Sequence, residues 1–403
     1  MSERSSETGS DAQMCGSPNI FGPFRFYQKF SPFNCGAPKP FRFIFIAFTI
    51  VAIVSMIFRV YWMFWQVGGE VLKFGWAESK LFGFISFESF VVTIGLLRVT
   101  CNDSLNRFEK NLGALQTLRI HRFHKKHDNY RILYIRIFIA GTFMFCSFVL
   151  TSVYLVSNKI VTYGAEKQSD WYWIVDPIIA ILCAYSNLLF LPTHSLLHHA
   201  LTREFEVFND ELEEMSKEKK LANVATLRQF GDRQIKLFEF TNFLTARMEQ
   251  LMVWAPFFAL MALLFGTYIT TQFDKTPKAL YLICLIAISI SCFIMSFTLL
   301  YPVAFVQEAM SKSAPILMND PLLQHSDDEL VYRSYRMMLD RALHNRTTSN
   351  VLHVFSVTRK NIERTFFFHS LAIICMVIVY SFQEGLEEGF GELDKFAATV
   401  QHG

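Results

Sequence analysis

Seven long apolar runs alternate with polar segments along the chain. Each is close to the 17 to 25 residues that an α-helix needs to cross the hydrocarbon core of a bilayer. They cover residues 43–65, 81–97, 137–157, 171–192, 251–271, 280–306 and 366–383. The pattern predicts an all-α, polytopic membrane protein with seven transmembrane helices, which we call spans one to seven. No short apolar core with a cleavage site precedes span one, so this span is expected to direct insertion.

Basic residues beside the runs indicate how the spans are oriented. The loop between spans two and three holds nine basic and three acidic residues, and span seven is preceded by Arg359, Lys360 and Arg364 but followed by glutamates. Because basic residues are retained on the cytoplasmic side, the pattern predicts an N-terminus inside the cell and a C-terminus outside. This orientation is the reverse of that of a G-protein-coupled receptor.

This orientation divides the chain into seven predicted segments. They are a partly disordered cytoplasmic N-terminal tail (1–42), spans one to four (43–192), a cytoplasmic helical extension (193–250), spans five and six (251–306), a second cytoplasmic helical segment (307–365), span seven (366–383) and an extracellular acidic tail (384–403).

Apolar side chains recur every three or four positions in three segments between the spans, which predicts amphipathic helices. The first stripe consists of Phe205, Phe208, Leu212 and Met215. The second, which runs without a breaker into span five, consists of Leu227, Phe230, Leu237, Phe238, Leu244 and Met248. The third follows a capping box of Ser326 and Glu329 and consists of Tyr332, Tyr335, Leu339 and Ala342. These helices either lie flat on the lipid or, as their continuity with spans favours, pack together and against neighbouring subunits.

Composition narrows the class of protein. The chain is 52% hydrophobic and 18% charged, with a net charge of +3. This composition excludes an ordinary soluble enzyme, and the small net charge argues against nucleic acid as a partner. Eight cysteines lack metal-ligand spacing, and no acid, base and nucleophile converge. His194, His198 and His199 could form a metal site, but we interpret them as histidines at the mouth of span four. No enzyme activity, metal or cofactor is predicted.

Charged residues inside spans need an explanation because they are costly in a bilayer. Glu88 is the deepest, and it either contacts a ligand or ion or makes a buried structural hydrogen bond. Asp176 precedes Pro177, which predicts that Asp176 is the N-cap of a helix. Arg59 lies near the outer end of span one, where it is expected to snorkel to the interface.

Aromatic residues gather at the outer ends of the spans. They form either an interfacial belt or the wall of an outer pocket, since ligand pockets are mostly apolar and aromatic with a few polar anchors. The candidate pocket residues are Glu88, Tyr154, Trp171, Tyr172 and Trp173.

Span seven carries a stripe of more polar and smaller side chains. At 100° per residue the stripe falls within about 80° of the helix circumference, opposite Phe367, Leu371, Ile374 and Ile378. Its members are Thr365, His369, Ala372, Met376, Tyr380 and Gln383. A lipid anchor has no need of such a stripe, so this face is expected to meet either other helices or water.

The motif LRQFGDRQIKLFEFTNFLTARM before span five, with seven spans and an inside N-terminus, resembles the insect gustatory and odorant receptor superfamily. The nematode gustatory-receptor-like proteins and class R serpentine chemoreceptors are most similar in style. The superfamily's last-span signature is partly present: with Gln383 as its glutamine, Met376 and Val377 replace Thr-Tyr, and Glu384 replaces the final Phe.

The resemblance implies a chemosensory receptor in the plasma membrane of sensory neurons. It implies a homo- or hetero-tetrameric ligand-gated cation channel, in which the stripe of span seven lines the pore. A small molecule or other sensory stimulus would enter a pocket in the outer half of spans two to six, and lipid would surround the protein. The alternative is a seven-helix receptor that signals through cytoplasmic partners, G protein or other, without conducting ions.

Overall fold

A computed structural model describes residues 20–36, 39–66, 71–101, 104–121, 124, 127–158, 172–271, 279–344, 350–351 and 355–401. Nearly all of this part of the chain is helical. The helices are α1 (Phe24–Phe30), α2 (Lys39–Tyr61), α3 (Phe74–Cys101), α4 (Ser104–Gln116), α5 (Arg131–Asn158), α6 (Tyr172–Lys217), α7 (Val224–Thr271), α8 (Ala279–Ser311), α9 (Ser313–Met318), α10 (Pro321–Gln324), α11 (Glu329–His344) and α12 (Arg359–Gln401). A π-helical turn (Trp62–Gln66) extends α2, a 3₁₀ turn (Lys220–Ala222) precedes α7, and β1 (Asn350–Val351) pairs antiparallel with β2 (Phe355–Ser356).

Seven of these helices are long and apolar enough to cross a bilayer: α2, α3, α5, α6, α7, α8 and α12. They coincide with the seven predicted spans, so the all-α, seven-span architecture is confirmed. Helix α3 begins at Phe74, well before the predicted start of span two at residue 81, and α12 continues past Gln383 to Gln401.

Helices α6 and α7 continue far beyond their spans as unbroken helices of 46 and 48 residues. The predicted continuity of α7 into span five is therefore confirmed. Phe205, Phe208 and Leu212 of the first stripe are buried, as are all six residues of the second. Together with α4 and α9–α11, residues 193–217 of α6 and 224–250 of α7 form what we call the inner subdomain. One apolar core runs through the spans and the inner subdomain, so these helices pack together rather than lie flat on lipid.

Helix α11 starts and packs differently from the prediction. Its cap is Asp328, whose Oδ1 accepts hydrogen bonds from the backbone nitrogens of Leu330 (2.8 Å) and Val331 (3.5 Å). Ser326, the predicted cap, lies two residues too early, and its hydroxyl accepts a hydrogen bond from the backbone nitrogen of Asp328 instead. Tyr332 is 43% exposed. The buried face of α11 consists of Val331, Tyr335, Met338 and Leu339.

The segment before span one is anchored to the bundle. Ile20, Phe21 and Phe24 enter the core, and the hydroxyl of Tyr134 in α5 donates to the carbonyl of Ile20 at 2.8 Å. Periodicity did not predict α1, because a helix of seven residues is too short to show it. Residues 1–19 of the predicted N-terminal tail lie outside the described part of the chain.

Helices α7 and α8 approach closely at Gly266. A Cβ atom at this position would lie 2.7 Å from the Oγ and 3.4 Å from the Cα of Ser289. Small residues on both sides thus allow the two backbones to come together, as is common between membrane helices.

We expect Gly266→Ala to destabilise the protein by about 1–3 kcal/mol, because the added methyl group overfills this contact. The matched control is Gly231→Ala in the same helix, where a Cβ would meet Met338 Cγ at 3.6 Å, an ordinary contact. That change should stabilise by up to about 1 kcal/mol, since alanine is the better helix former. Thermal unfolding of both variants in detergent checks the sign, and a gain in stability for Gly266→Ala would contradict the packing argument.

Candidate functional site

The predicted polar stripe of α12 faces the helices of its own chain. Five of its six members, Thr365, His369, Ala372, Met376 and Tyr380, are half-buried. His369 contacts the backbone of Leu263 in α7, and Met376 packs on the core. Gln383 is exposed. For the five half-buried residues, the contacts of a single chain favour helix packing over water, and their role in a pore stays a prediction.

The opposite face of α12 is open along its whole apolar length. Phe367, Leu371, Ile374 and Ile378 are 46–66% exposed, and no residue of the most apolar part of this helix is fully buried. Ser370 and Ser381 are exposed on the same side. This face requires lipid or another copy of the chain to cover it.

Glu88 forms a buried structural contact between α3 and α6. The Nδ2 of Asn187 donates to Glu88 Oε2 at 2.8 Å and to the hydroxyl of Ser89 at 2.9 Å. All three residues are almost completely buried. Glu88 Oε1 has no hydrogen-bond partner among the described residues. Of the two roles predicted for Glu88, the geometry supplies the structural hydrogen bond.

Tyr154 belongs to an aromatic group at the end of the bundle away from the inner subdomain, which we call the outer half. Its ring stacks on that of Tyr281 in α8, with centroids 6.1 Å apart and an interplanar angle of 18°. Phe74 of α3 meets Tyr281 edge-on at 6.4 Å. Of the other predicted pocket residues, Trp171 lies outside the described residues. Tyr172 and Trp173 open α6, but their side chains are not among those the structure describes.

Glu78 is a buried glutamate that sequence reasoning missed. It lies on the outer half of α3, is 2% exposed, and its Oε1 has no hydrogen-bond partner in the described part of the chain. The predicted span two began at residue 81, so Glu78 counted as part of a loop. Had span two been predicted to begin before residue 78, Glu78 would have been noticed as a carboxylate inside an apolar helix.

Arg59 and Asp176 form an ion pair inside the bundle. The Nε and Nη2 of Arg59 donate to the two carboxylate oxygens of Asp176 at 2.7 and 3.3 Å, and Nη1 donates to Ser86 at 3.3 Å. Both expectations for these residues are wrong. Arg59 is 3% exposed rather than snorkelling, and Asp176 lies inside α6, which begins at Tyr172, rather than at its N-cap.

The inner subdomain holds a second buried ion network, around Arg119. Its guanidinium pairs with Glu204 of α6 and with Asp128, the latter at 2.8 Å. Burial alone would lower the pKa of Arg119, but the hydrogen bonds and charges of Glu204 and Asp128 outweigh it and raise this pKa further, so the side chain is always charged. The network fastens the connection between α4 and α5 to α6.

The histidines of α6 make backbone contacts. His194 Nε2 donates to the carbonyl of Leu299 at 3.1 Å, and His198 Nδ1 donates to the carbonyl of His194 at 2.9 Å. Within the described ranges, no group of three or more His, Cys, Asp or Glu side chains is arranged to hold a metal ion.

Comparisons with known proteins agree on the fold. The model of a family described as "Caenorhabditis protein of unknown function, DUF267" matches residues 20–372. The chain is similar to the insect olfactory receptor OR5 from Machilis hrabei in complex with eugenol, with a TM-score of 0.64 and 10% identity over 89% of this chain and 97% of that one. A second structure of that receptor gives a TM-score of 0.59 and 10% identity over 84% and 89%. No curated protein matches the sequence. The resemblance to the insect receptor superfamily is thus confirmed at the level of the fold.

Proposed function

This chain belongs to the Caenorhabditis protein family of unknown function DUF267, and from its fold we propose that it is a chemosensory receptor of the plasma membrane acting as a ligand-gated cation channel. The olfactory receptor that shares its fold was solved with eugenol, a small aromatic molecule, which supports a small-molecule stimulus here. The basic loop between α3 and α5 supports the proposed orientation, with the N-terminus and the inner subdomain in the cytoplasm.

The observation that carries the channel proposal is the open face of α12. Six of the seven long apolar helices have buried residues in their most apolar stretch, whereas α12 has none. Four copies of the chain arranged around an axis would cover this helix and enclose a path between the copies. We propose that Ser370, Ile374 and Ser381 line that path.

Purified protein in liposomes tests this function without any other protein present. A cation current that depends on a stimulus, from particles with four-fold symmetry and α12 at the axis, is the expected result. Silent particles without four-fold symmetry would count against conduction.

Charged thiol reagents can identify the face of α12 that lines the path. In a Cys375→Ser background, which removes the exposed native thiol of this helix, we expect Ser381→Cys to lose most of its current when treated with a cationic reagent. Val379→Cys is the matched control, because Val379 is 48% exposed on another side of the same helix. Equal inhibition of both cysteine variants would reject the proposed face.

The alternative is a receptor that signals through cytoplasmic partners without conducting. Exposed apolar side chains on α11 favour it, namely Leu330, Tyr332, Met337 and Leu343, which are 42–56% exposed. A stimulus that binds the protein, produces no current and changes the capture of a cytoplasmic protein by wild type but not by Met337→Glu would support this function.

A further inference from the structure

Glu78 is a buried carboxyl group, and the described residues supply no partner for its Oε1. It is 2% exposed, and no hydrogen bond or ion pair of the described residues satisfies its Oε1. An isolated carboxylate in apolar surroundings is expensive unless a cation or a hydrogen-bond donor accompanies it. Glu88 likewise has an Oε1 without a described partner, but its Oε2 accepts a hydrogen bond from Asn187.

Two cationic side chains in the described part of the membrane bundle, Arg59 and Lys80, have other partners. Arg59 is bonded to both oxygens of Asp176. The ammonium of Lys80 lies over the ring of Phe64, 4.5 Å from its centroid, on a different side of α3 from Glu78. A ligand that enters this part of the bundle would supply the missing positive charge.

Aromatic rings, and a hydroxyl without a partner among the described residues, lie on the side of α3 from which Glu78 projects. Phe74 and Glu78 are one helical turn apart, so their side chains project from the same face of α3, and Phe74 contacts Tyr281. Tyr281 is 1% exposed, and its hydroxyl has no hydrogen-bond partner among the described residues. The ring of Tyr154 stacks on Tyr281 from the other side. These four residues, Phe74, Glu78, Tyr154 and Tyr281, are what we call the outer site.

We propose that the outer site binds a protonated arylalkylamine. Its ammonium group donates to the Glu78 carboxylate and lies close to electron-rich aromatic faces, both of which favour a cation. Its ring packs with Tyr154 and Tyr281. A neutral ligand of the same shape leaves the carboxylate without a counter-charge. This inference rests on the proposed receptor function, and it names the class of stimulus.

A matched pair of ligands separates charge from shape. Binding of 2-phenylethylamine and 2-phenylethanol to the purified full chain in detergent is measured by calorimetry. We expect the wild type to bind the amine at least about tenfold more tightly, the usual effect of a hydrogen bond to a charged group. Glu78→Gln should abolish this preference, and Tyr281→Phe should weaken binding of the amine more modestly.

Controls remove the same chemical groups at the other end of the molecule. Glu109→Gln and Tyr335→Phe each change a buried residue of the inner subdomain, and both should bind the amine as the wild type does. Thermal unfolding without ligand shows whether Glu78→Gln is folded, and Tyr281→Phe tests the site independently. Equal affinity for amine and alcohol, or undiminished amine binding by Glu78→Gln, overturns the inference.

The outcome also separates this inference from the proposed function. A current evoked by neutral compounds and unaffected by Glu78→Gln would refute amine recognition and leave the channel intact. Amine binding that requires Glu78 but evokes no current would support amine recognition and refute the proposed channel.

Discussion

Arg59→Met is expected to lower the free energy of unfolding by about 3–5 kcal/mol, because it leaves the Asp176 carboxylate unpaired in the bundle. The side chains of Arg59 and Asp176 are only 4% and 13% exposed, so water compensates little for the lost partner. Arg59 also lies against the ring of Phe82, 5.6 Å from its centroid, and donates to Ser86. Its loss therefore loosens the contact of α2 with both α3 and α6.

A double variant distinguishes a lost pair from lost packing. Arg59→Met combined with Asp176→Leu removes both charges and should recover most of the stability, since an apolar pair of similar volume often replaces a buried ion pair without loss. Arg42→Met, an exposed arginine on the same helix, is the control and should change little. Denaturation by SDS in mixed micelles measures all three. If Arg59→Met unfolded at the same SDS content as Arg42→Met, the ion pair would contribute nothing to stability.

Arg119→Met is expected to cost a similar amount, about 3–5 kcal/mol, in the inner subdomain. The side chains of Arg119 and Glu204 are 1% and 2% exposed, so the substitution leaves an uncompensated carboxylate in the core. Because Arg119 joins the α4–α5 connection to α6, this connection should exchange its amide hydrogens faster in the variant. Hydrogen exchange of residues 117–121 and 127–130, together with thermal unfolding, measures both effects.

An exposed ion pair on α6 provides the comparison. Lys217 and Glu213 approach to 2.6 Å, but their side chains are 73% and 52% exposed. Lys217→Met should change stability by less than about 1 kcal/mol, as is typical of solvated pairs. A large loss of stability in Lys217→Met, or no loss in Arg119→Met, would contradict the argument that burial makes an ion pair costly to break.

Single helices were predictable from the sequence because their signals are local. Each of the seven apolar runs lies within one segment, and so does the repeat of apolar residues from Leu227 to Met248. No helix-breaking residue interrupts the chain between this repeat and Leu251. The start of α11 was placed wrongly because Ser326 and Asp328 are both acceptable caps, and the choice depends on which turn packs against α7.

The periodicity of apolar residues could not predict which helices contact one another. Arg59 and Asp176 are 117 positions apart, and nothing in either span indicates that their side chains meet.

In the candidate site, too, features of one helix were predictable and contacts between helices were not. The stripe of α12 was recognised correctly as a distinct face, but whether it meets water or a neighbouring helix depends on how α12 lies against α7 and α8. Tyr154 was recognised as an aromatic at an outer end, whereas Glu78 was missed because the helix begins earlier than its apolar run.

The uninterrupted length of α6 and α7 has a mechanical consequence. At 1.5 Å per residue, their 46 and 48 residues make rods about 70 Å long, more than twice the thickness of the hydrocarbon core. A tilt imposed on one end of such a rod displaces the other end in the opposite direction, as in a lever pivoted in the membrane. Pro177 and Pro192 in α6 and Pro256 in α7 are the points at which these levers can bend, so they determine how far a displacement at the outer half reaches the inner subdomain.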